Sequence, residues 1–178
     1  MGGIGIGNGW ISPKYQCQHA LVLKSMGLIN SKAYDLLVKM EKETIRLIDE
    51  GNLWRALNNW QEEMKYMHRI LKLINVYDFT RSRNDVSEQN FWHFLQQSHV
   101  RNAIHVGNTF FDGGSKVLNR FYQEWMKDQS SGLAFLLNKG IPVLVYHGNF
   151  DLVLPVNGMS EALNNLQWRG LEKWTNAL

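Results

Sequence analysis

The segment Ile141–Asp151 constrains the fold of this chain more than any other part of its sequence. Pro142 is followed by a continuous apolar run at 143–146 and then by a turn that contains Gly148. A short apolar run without alternation is the pattern of a strand that is covered on both faces, and such strands belong to α/β sheets. Ligands and catalytic groups gather beyond the carboxyl ends of those strands. The sequence therefore predicts an α/β fold with Asp151 at a functional edge of the sheet.

A second, weaker strand is predicted at Gly3–Gly7, before a turn at Asn8-Gly9. Between the two strands, helical patterning dominates from about 14 to 138, with apolar stripes at 36–48 and 53–74. The chain is thus expected to form two strands that bracket a long helical region.

Shorter elements are predicted around these features. The segment 77–90 is polar, so we expect a loop there. Ser98 is a candidate cap for a short helix. A further helix is expected at 163–166, with Asn157 or Ser160 as its cap.

Composition and charge restrict the class of protein. Hydrophobic residues make up 44% of the 178 residues, which is typical of one packed globular unit. The net charge is +3, and the only dense basic cluster, 81–83, lies next to Asp85 and Glu88, so no nucleic-acid site is predicted. No apolar run approaches the ~20 residues that span a bilayer. The N-terminus lacks the features of a signal peptide.

Asp151 is the strongest candidate for chemistry, because an α/β-hydrolase supplies the acid of its Ser-His-Asp triad from such a position. The alternative is an ordinary turn aspartate, since Asp is common after strands. His147 lies four residues earlier, but we interpret it as structural. Ser160 resembles the nucleophile of a G-x-S-x-G elbow, yet no strand directly precedes it, so it is also interpreted as structural. The lone Cys17 lacks a distant histidine in a recognisable motif and is assigned a structural role.

No cofactor or metal site is predicted. The glycine-rich run Gly5–Trp10 carries Trp10 where a dinucleotide-binding loop needs its third glycine. His93, His99 and His105 are six residues apart, which scatters them around a helix instead of aligning them as zinc ligands. His19 and His68 have no acidic or thiol partner in a recognisable motif.

Three separated blocks make the chain resemble the serine carboxypeptidases, in particular the vitellogenic or lysosomal-like branch. The blocks are GIGIGNGWISPKYQ at 3–16 with GLI at 27–29, HVRNAIHVGN at 99–108, and PVLVYHGNFDLVLP at 142–155 with LQW at 166–168. They follow the order of the family along nearly the whole chain. The resemblance implies an α/β-hydrolase fold with a large helical cap insertion.

The resemblance also implies which part of the active site this chain carries. The nucleophile of the family lies in a GESYAG motif before the first block, and the catalytic histidine lies after the third. We therefore expect a partial peptidase domain over 1–178, with a core strand and turn at 1–13, a mostly helical cap at 14–138, and a core strand, acid loop and helix at 139–178. Asp151 is the only triad residue expected here, so the chain alone is predicted to be inactive.

As a serine-type carboxypeptidase the whole enzyme would release C-terminal residues from peptides by acyl transfer, without a cofactor, in a secreted or lysosomal/vacuolar location. Two alternatives stay open. One is an inactive, truncated paralogue that acts in binding or storage, and the other is a gene-model fragment without independent function. The oligomeric state does not follow from the sequence.

Overall fold

The computed structural model describes residues 2–83, 88–111, 114–122 and 124–177, with the side chains of 88–90 outside the description. The helices are α1 (Pro13–Gln16), α2 (Ala20–Ser25), α3 (Ser31–Asp49), α4 (Leu53–Ile70), α5 (Glu88–Gln96), α6 (Ser98–Ala103), α7 (Ser115–Phe121), α8 (Ser130–Asn138), α9 (Val156–Asn164) and α10 (Leu171–Thr175). The strands are β1 (Ile4–Gly7), β2 (Ile74–Asn75), β3 (Asp78–Ser82) and β4 (Val143–Tyr146).

The two strands predicted from the sequence pair directly. β1 and β4 run parallel, in a register that places Ile4 opposite Val143 and Gly7 opposite Tyr146. A Cβ atom at Gly7 would lie 2.3 Å from the Tyr146 ring, so the ring rests where a larger residue at position 7 would displace it. This pairing brings the end of β1 beside the end of β4, although more than 130 residues separate them in the chain.

The two faces of β4 differ in their surroundings. Val143 packs with Leu133, Leu166 and other apolar side chains of one cluster. Leu144 and Tyr146, on the opposite face, are 66% and 60% exposed. The expectation that this strand is covered on both faces is therefore wrong for the described residues. No described element packs over the second face, although its side chains are apolar.

The helical region is built on the α3–α4 pair. Asn30 caps α3 by accepting a hydrogen bond from the Ala33 N–H at 2.9 Å, and Gly51, with φ +73°, follows its end. The inward face of the pair buries Leu37 and Met67, and each such side chain contributes about 1.5–3 kcal/mol relative to exposure. The predicted stripe 53–74 is thus a helix, but the helix ends at Ile70.

A β-hairpin stands where the sequence predicts a loop. β3 lies inside the predicted loop 77–90, of which 84–87 lie outside the described residues, and it pairs antiparallel with β2, which precedes that segment. The hairpin is fixed by a distant segment, because the Phe79 N–H donates to the Phe150 carbonyl at 3.1 Å and the Leu152 N–H donates to the Val76 carbonyl at 2.7 Å. Phe79 and Phe150 also stack edge to face at 5.3 Å. These contacts outweigh the polar local sequence.

The helix after β4 is longer than predicted. α9 begins at Val156 after Pro155, not at 163, so neither proposed cap residue is its N-cap. Gly158 allows α9 to touch α1, because a Cβ atom there would lie 2.8 Å from the Gln16 Cα. The short helix predicted near Ser98 is present as α6, with Gln97 at the N-cap position. None of the described helices is long and apolar enough to cross a membrane.

Candidate active site

Asp151 lies in the turn that follows β4, and we call residues 147–154 the acid loop. Its side chain is nearly buried, with the residue 8% exposed. Oδ1 accepts hydrogen bonds from the backbone N–H groups of Val153 at 2.7 Å and Leu154 at 3.0 Å. Oδ2 accepts one from the Asn8 side-chain amide at 2.7 Å.

These bonds leave the carboxylate with an open position. A carboxylate offers about four lone-pair sites. Within the described chain, three are used, two on Oδ1 and one on Oδ2. The site that remains is on Oδ2, and an N–H donor such as an imidazole could occupy it.

Asn8 is a site residue that the sequence reasoning missed. It follows β1, has φ +46°, and its backbone N–H donates to the Tyr146 carbonyl at 3.0 Å. Its Nδ2 faces the Asp151 carboxylate, while its Oδ1 accepts the Gly148 N–H at 3.3 Å. The available signal was positional, because the ends of adjacent parallel strands meet at one edge of a sheet.

A buried cluster of three ionisable side chains, from the start of α2, from α3 and from α4, lies next to the acid loop. His19, Glu41 and Glu63 are 0%, 7% and 0% exposed. His19 Nδ1 lies 2.6 Å from Glu63 Oε1, and His19 Nε2 lies 3.0 Å from the Val153 carbonyl oxygen. Glu41 Oε1 accepts the backbone N–H groups of His19 and Ala20, both at 2.6 Å. The sequence reasoning found no acidic partner for His19, because Glu63 lies 44 residues away.

The pKa values of His19, Glu41 and the neighbouring Cys17 are all raised. Burial by itself would lower the pKa of His19, but the hydrogen bond to Glu63 and its charge outweigh burial and raise the pKa. Burial raises the pKa of Glu41, against the opposing effect of its backbone hydrogen bonds. Burial, together with the charges of Glu63 and Glu41, also raises the pKa of the Cys17 thiol. Cys17 is therefore held as a neutral thiol, a poor nucleophile.

The same three side chains are the group that could hold a metal ion among the described residues. Two ligand atoms bound to one tetrahedral zinc ion at about 2.0–2.1 Å lie about 3.4 Å apart. The observed 2.6 Å between His19 Nδ1 and Glu63 Oε1 is shorter and is a hydrogen-bond distance. The cluster thus has the geometry of a hydrogen-bonded ion pair. His93, His99 and His105 are exposed.

His147 and Ser160 occupy positions that fit structural roles. His147 Nε2 hydrogen-bonds the Leu154 carbonyl, which requires a proton on Nε2. No hydrogen bond between His147 and Asp151 occurs within the described chain. Ser160 lies inside α9 and is exposed, whereas an elbow nucleophile sits on a strand-to-helix turn.

A parallel pair of strands, a nearly buried acid beyond their carboxyl ends and a helical region between them are the features of an α/β protein. The family model described as "Serine carboxypeptidase" matches residues 1–178, so the chain belongs to the serine carboxypeptidase family. The sequence-based assignment of family and fold class is thereby confirmed.

Individual relatives agree with this assignment. The chain is 25% identical over 184 residues to the venom serine carboxypeptidase of Apis mellifera, covering 98% of this chain and 39% of that protein. It is 25% identical over 186 residues to the probable serine carboxypeptidase CPVL of Homo sapiens, covering 99% of this chain and 39% of that protein. The chain therefore spans about two fifths of the length of these relatives.

A solved structure has the same fold. A prohormone-processing carboxypeptidase of Saccharomyces cerevisiae superposes with a TM-score of 0.67 at 20% sequence identity, covering 94% of this chain and 41% of that protein. At this level of identity the likeness establishes the α/β-hydrolase fold with its helical cap.

Proposed function

We propose that this chain supplies the acid of the Ser-His-Asp triad in a serine-type carboxypeptidase, and that Asp151 is that acid. The observation that carries the proposal is the geometry of the carboxylate. It lies beyond the end of β4 and is held by three N–H donors, with one position left on Oδ2. A triad acid needs this combination, because it must stay ionised, stay oriented and still accept the imidazole N–H.

The chemical task of Asp151 follows from that geometry. Its carboxylate would accept the Nδ1–H of the catalytic histidine, fix the tautomer that leaves Nε2 free to take the serine proton, and stabilise the imidazolium that forms. In the family the serine and the histidine belong to motifs outside the three blocks that match here. We therefore propose that the isolated chain does not hydrolyse peptides.

Substrate and location are proposed from the relatives. Their names describe serine carboxypeptidases, which supports C-terminal residues of peptides as the substrate and acyl transfer as the reaction. We propose a secreted or lysosomal/vacuolar location on the same ground. We also propose that 1–178 forms one partial domain, with cap and core regions as divided above. Support comes from Leu152 of the acid loop, which packs in one cluster with Leu37 and Met67 of the cap.

The test is a chimaera in which this chain replaces the matching region of the Homo sapiens relative. The chimaera is expected to release C-terminal residues from peptides and to react with a fluorophosphonate probe, while the isolated chain should not be labelled. An active chimaera whose activity survives Asp151→Asn would show that the acid is misassigned. Covalent labelling of the isolated chain at Ser160 or another serine would overturn the proposed inactivity.

A further inference from the structure

The His19 ring lies between two oxygen atoms, one of a carboxyl group and one of a backbone carbonyl. One is Glu63 Oε1, at 2.6 Å from Nδ1, and the other is the Val153 carbonyl oxygen, at 3.0 Å from Nε2. A carbonyl has no proton to donate, so Nε2 must carry one. The carboxyl group of Glu63 faces Nδ1 at a short distance, which is typical of a charge-assisted hydrogen bond. An imidazolium that donates from both Nδ1 and Nε2 satisfies both contacts at once.

The surroundings support this charged form. Full burial by itself opposes a charge on His19, but two acidic groups, Glu41 from α3 and Glu63 from α4, meet its ring. Glu63 Oε2 has no hydrogen-bond partner among the described residues, so His19 is the partner that the Glu63 carboxyl group has there. Cys17, which also feels both glutamates, is a neutral thiol and contributes no charge. A buried carboxylate without a cation would be costly, and the imidazolium supplies that cation.

Val153 connects this pair to the acid. Its backbone N–H donates to Asp151 Oδ1 at 2.7 Å, while its carbonyl accepts from His19 Nε2. One residue therefore carries a hydrogen bond to the acid on one side and a hydrogen bond to the cap on the other. The next residue, Leu154, gives the second N–H to Asp151 Oδ1 at 3.0 Å.

We propose that His19 and Glu63 form a positioning pair, in which the His19 ring holds the Val153 carbonyl so that the N–H groups of Val153 and Leu154 stay directed at Asp151. The importance of this pair for catalysis rests on the proposed role of Asp151. The pair itself touches no reacting atom. It fixes the turn whose amides orient the acid, and it does so from the helical cap, 134 residues away in sequence from the loop it holds.

Two substitutions at the same position separate the two contacts of the ring. The amide of Gln reaches about as far as Nε2, so His19→Gln keeps a donor for the Val153 carbonyl. The amide of Asn reaches only about as far as Nδ1, so His19→Asn keeps a donor near Glu63 and loses the contact with Val153. Leu57→Ala is the control. Leu57 is buried in a different cluster, so this substitution should destabilise the protein without changing a contact of the acid loop.

The measurement is amide hydrogen exchange of the full chain by NMR, read at Val153 and Leu154 relative to the amides of α4. The exchange of these two amides should accelerate about tenfold or more in His19→Asn, the effect of one hydrogen bond to a charged group, and should stay closer to the unsubstituted protein in His19→Gln. Equal acceleration in His19→Asn and in Leu57→Ala, after correction for global stability, would show that His19 only adds stability and would overturn the proposal.

The unsubstituted protein provides a second test that does not depend on a folded variant. A positioning imidazolium should show two slowly exchanging ring N–H signals for His19, and a single ring N–H would contradict it. These results are separate from the proposed function. If the exchange experiment shows no positioning role while Asp151 is still essential in the chimaera, only this inference is removed. If Asp151 is dispensable in the chimaera, the proposed function is removed and the hydrogen-bond result stays intact.

Discussion

Asp151 and Glu63 are both buried carboxylates, but they are stabilised in different ways. Asp151 accepts N–H groups from Val153, Leu154 and Asn8, all of which are neutral donors. Glu63 relies on one ring, that of His19, and its second oxygen lacks a partner in the described chain. One carboxylate is held by dipoles and the other by a cation.

The difference separates a group prepared for chemistry from a group that holds structure. The donors of Asp151 carry no charge, so in the proposed role its carboxylate could still stabilise an imidazolium that forms during catalysis. Glu63 is already paired with the His19 ring inside the fold. Buried ion pairs of this kind add little net stability but are costly to break. Substitutions at the two positions should therefore affect different quantities.

The largest effect is expected on turnover from Asp151→Asn in the chimaera. The nearly isosteric amide should leave the fold intact but stabilise the wrong tautomer of the catalytic histidine. Turnover should fall on the order of 10⁴-fold, as in trypsin-like triads. The measurement is the rate of C-terminal residue release, with circular dichroism as the check on folding. Ser160→Ala and His147→Asn are controls that should change turnover far less, and a larger loss in His147→Asn than in Asp151→Asn would reverse the assignment.

The next effect is on stability, from Glu63→Gln. Removing one partner of a buried ion pair leaves the His19 ring uncompensated, so the free energy of unfolding should fall by about 3–5 kcal/mol. Urea denaturation measures it. The matched control is Glu62→Gln on the same helix, where Glu62 pairs with Lys65 at 2.6 Å and both are largely exposed. That change should cost about 1 kcal/mol or less, and equal losses at the two positions would contradict the distinction.

A smaller loss of stability is expected when the amide beside Asp151 is removed. Asn8→Gly deletes the side chain but suits the positive φ of +46°, so it should cost about 1.5–3 kcal/mol, the value of a hydrogen bond to a charged group. Asn8→Ala adds the strain of an L-residue in the left-handed region, about 1–2 kcal/mol more. Denaturant unfolding of both variants separates the two costs. If the Gly variant is as stable as the unsubstituted protein, the Asn8–Asp151 bond contributes nothing.

The dependence of stability on pH should be dominated by the cap cluster. The pKa of His19 is raised in the folded state, so its contribution is complete below the unfolded value of about 6.5 and is lost as pH rises through the folded pKa. The raised pKa of Glu41 also makes stability fall as pH rises, starting from the unfolded value of about 4.3. Stability should therefore fall with increasing pH, by at most about 1.4 kcal/mol per pH unit for each proton. Urea unfolding between pH 6 and 9 should show a shallower decline in His19→Gln, and identical slopes would argue against a charged His19.

Local sequence was sufficient for the elements whose burial follows from their own pattern. β4 is a short apolar run, α3 and α4 have apolar stripes at helical spacing, and Gly51 follows α3 with the positive φ that glycine favours. The position of Asp151 beyond a strand end also followed from sequence, because the carboxyl edge of a parallel sheet is where functional groups gather. Its catalytic role remains a prediction.

Sequence reasoning was wrong where distant contacts decide the local conformation. The polar segment around Phe79 forms a strand because its backbone bonds the acid loop, a contact that no local propensity encodes. The start of α9 was predicted too late because Gly158 is a poor helix former, and only its close contact with α1 explains why a glycine lies inside the helix. β4 has an exposed apolar face in the described chain, since covering a strand depends on which elements pack on it.

What the sequence determined by itself was the family, the two bracketing strands with the long helices between them, and the place of one acid after β4. The partners of that acid were decided only by the tertiary structure. Asn8 reaches Asp151 across 143 residues, and His19 reaches Glu63 across 44 and Val153 across 134. The physical reason is that helical and strand patterns record which face of an element is buried, whereas a buried polar group is satisfied by whichever donor the folded chain brings within hydrogen-bond distance.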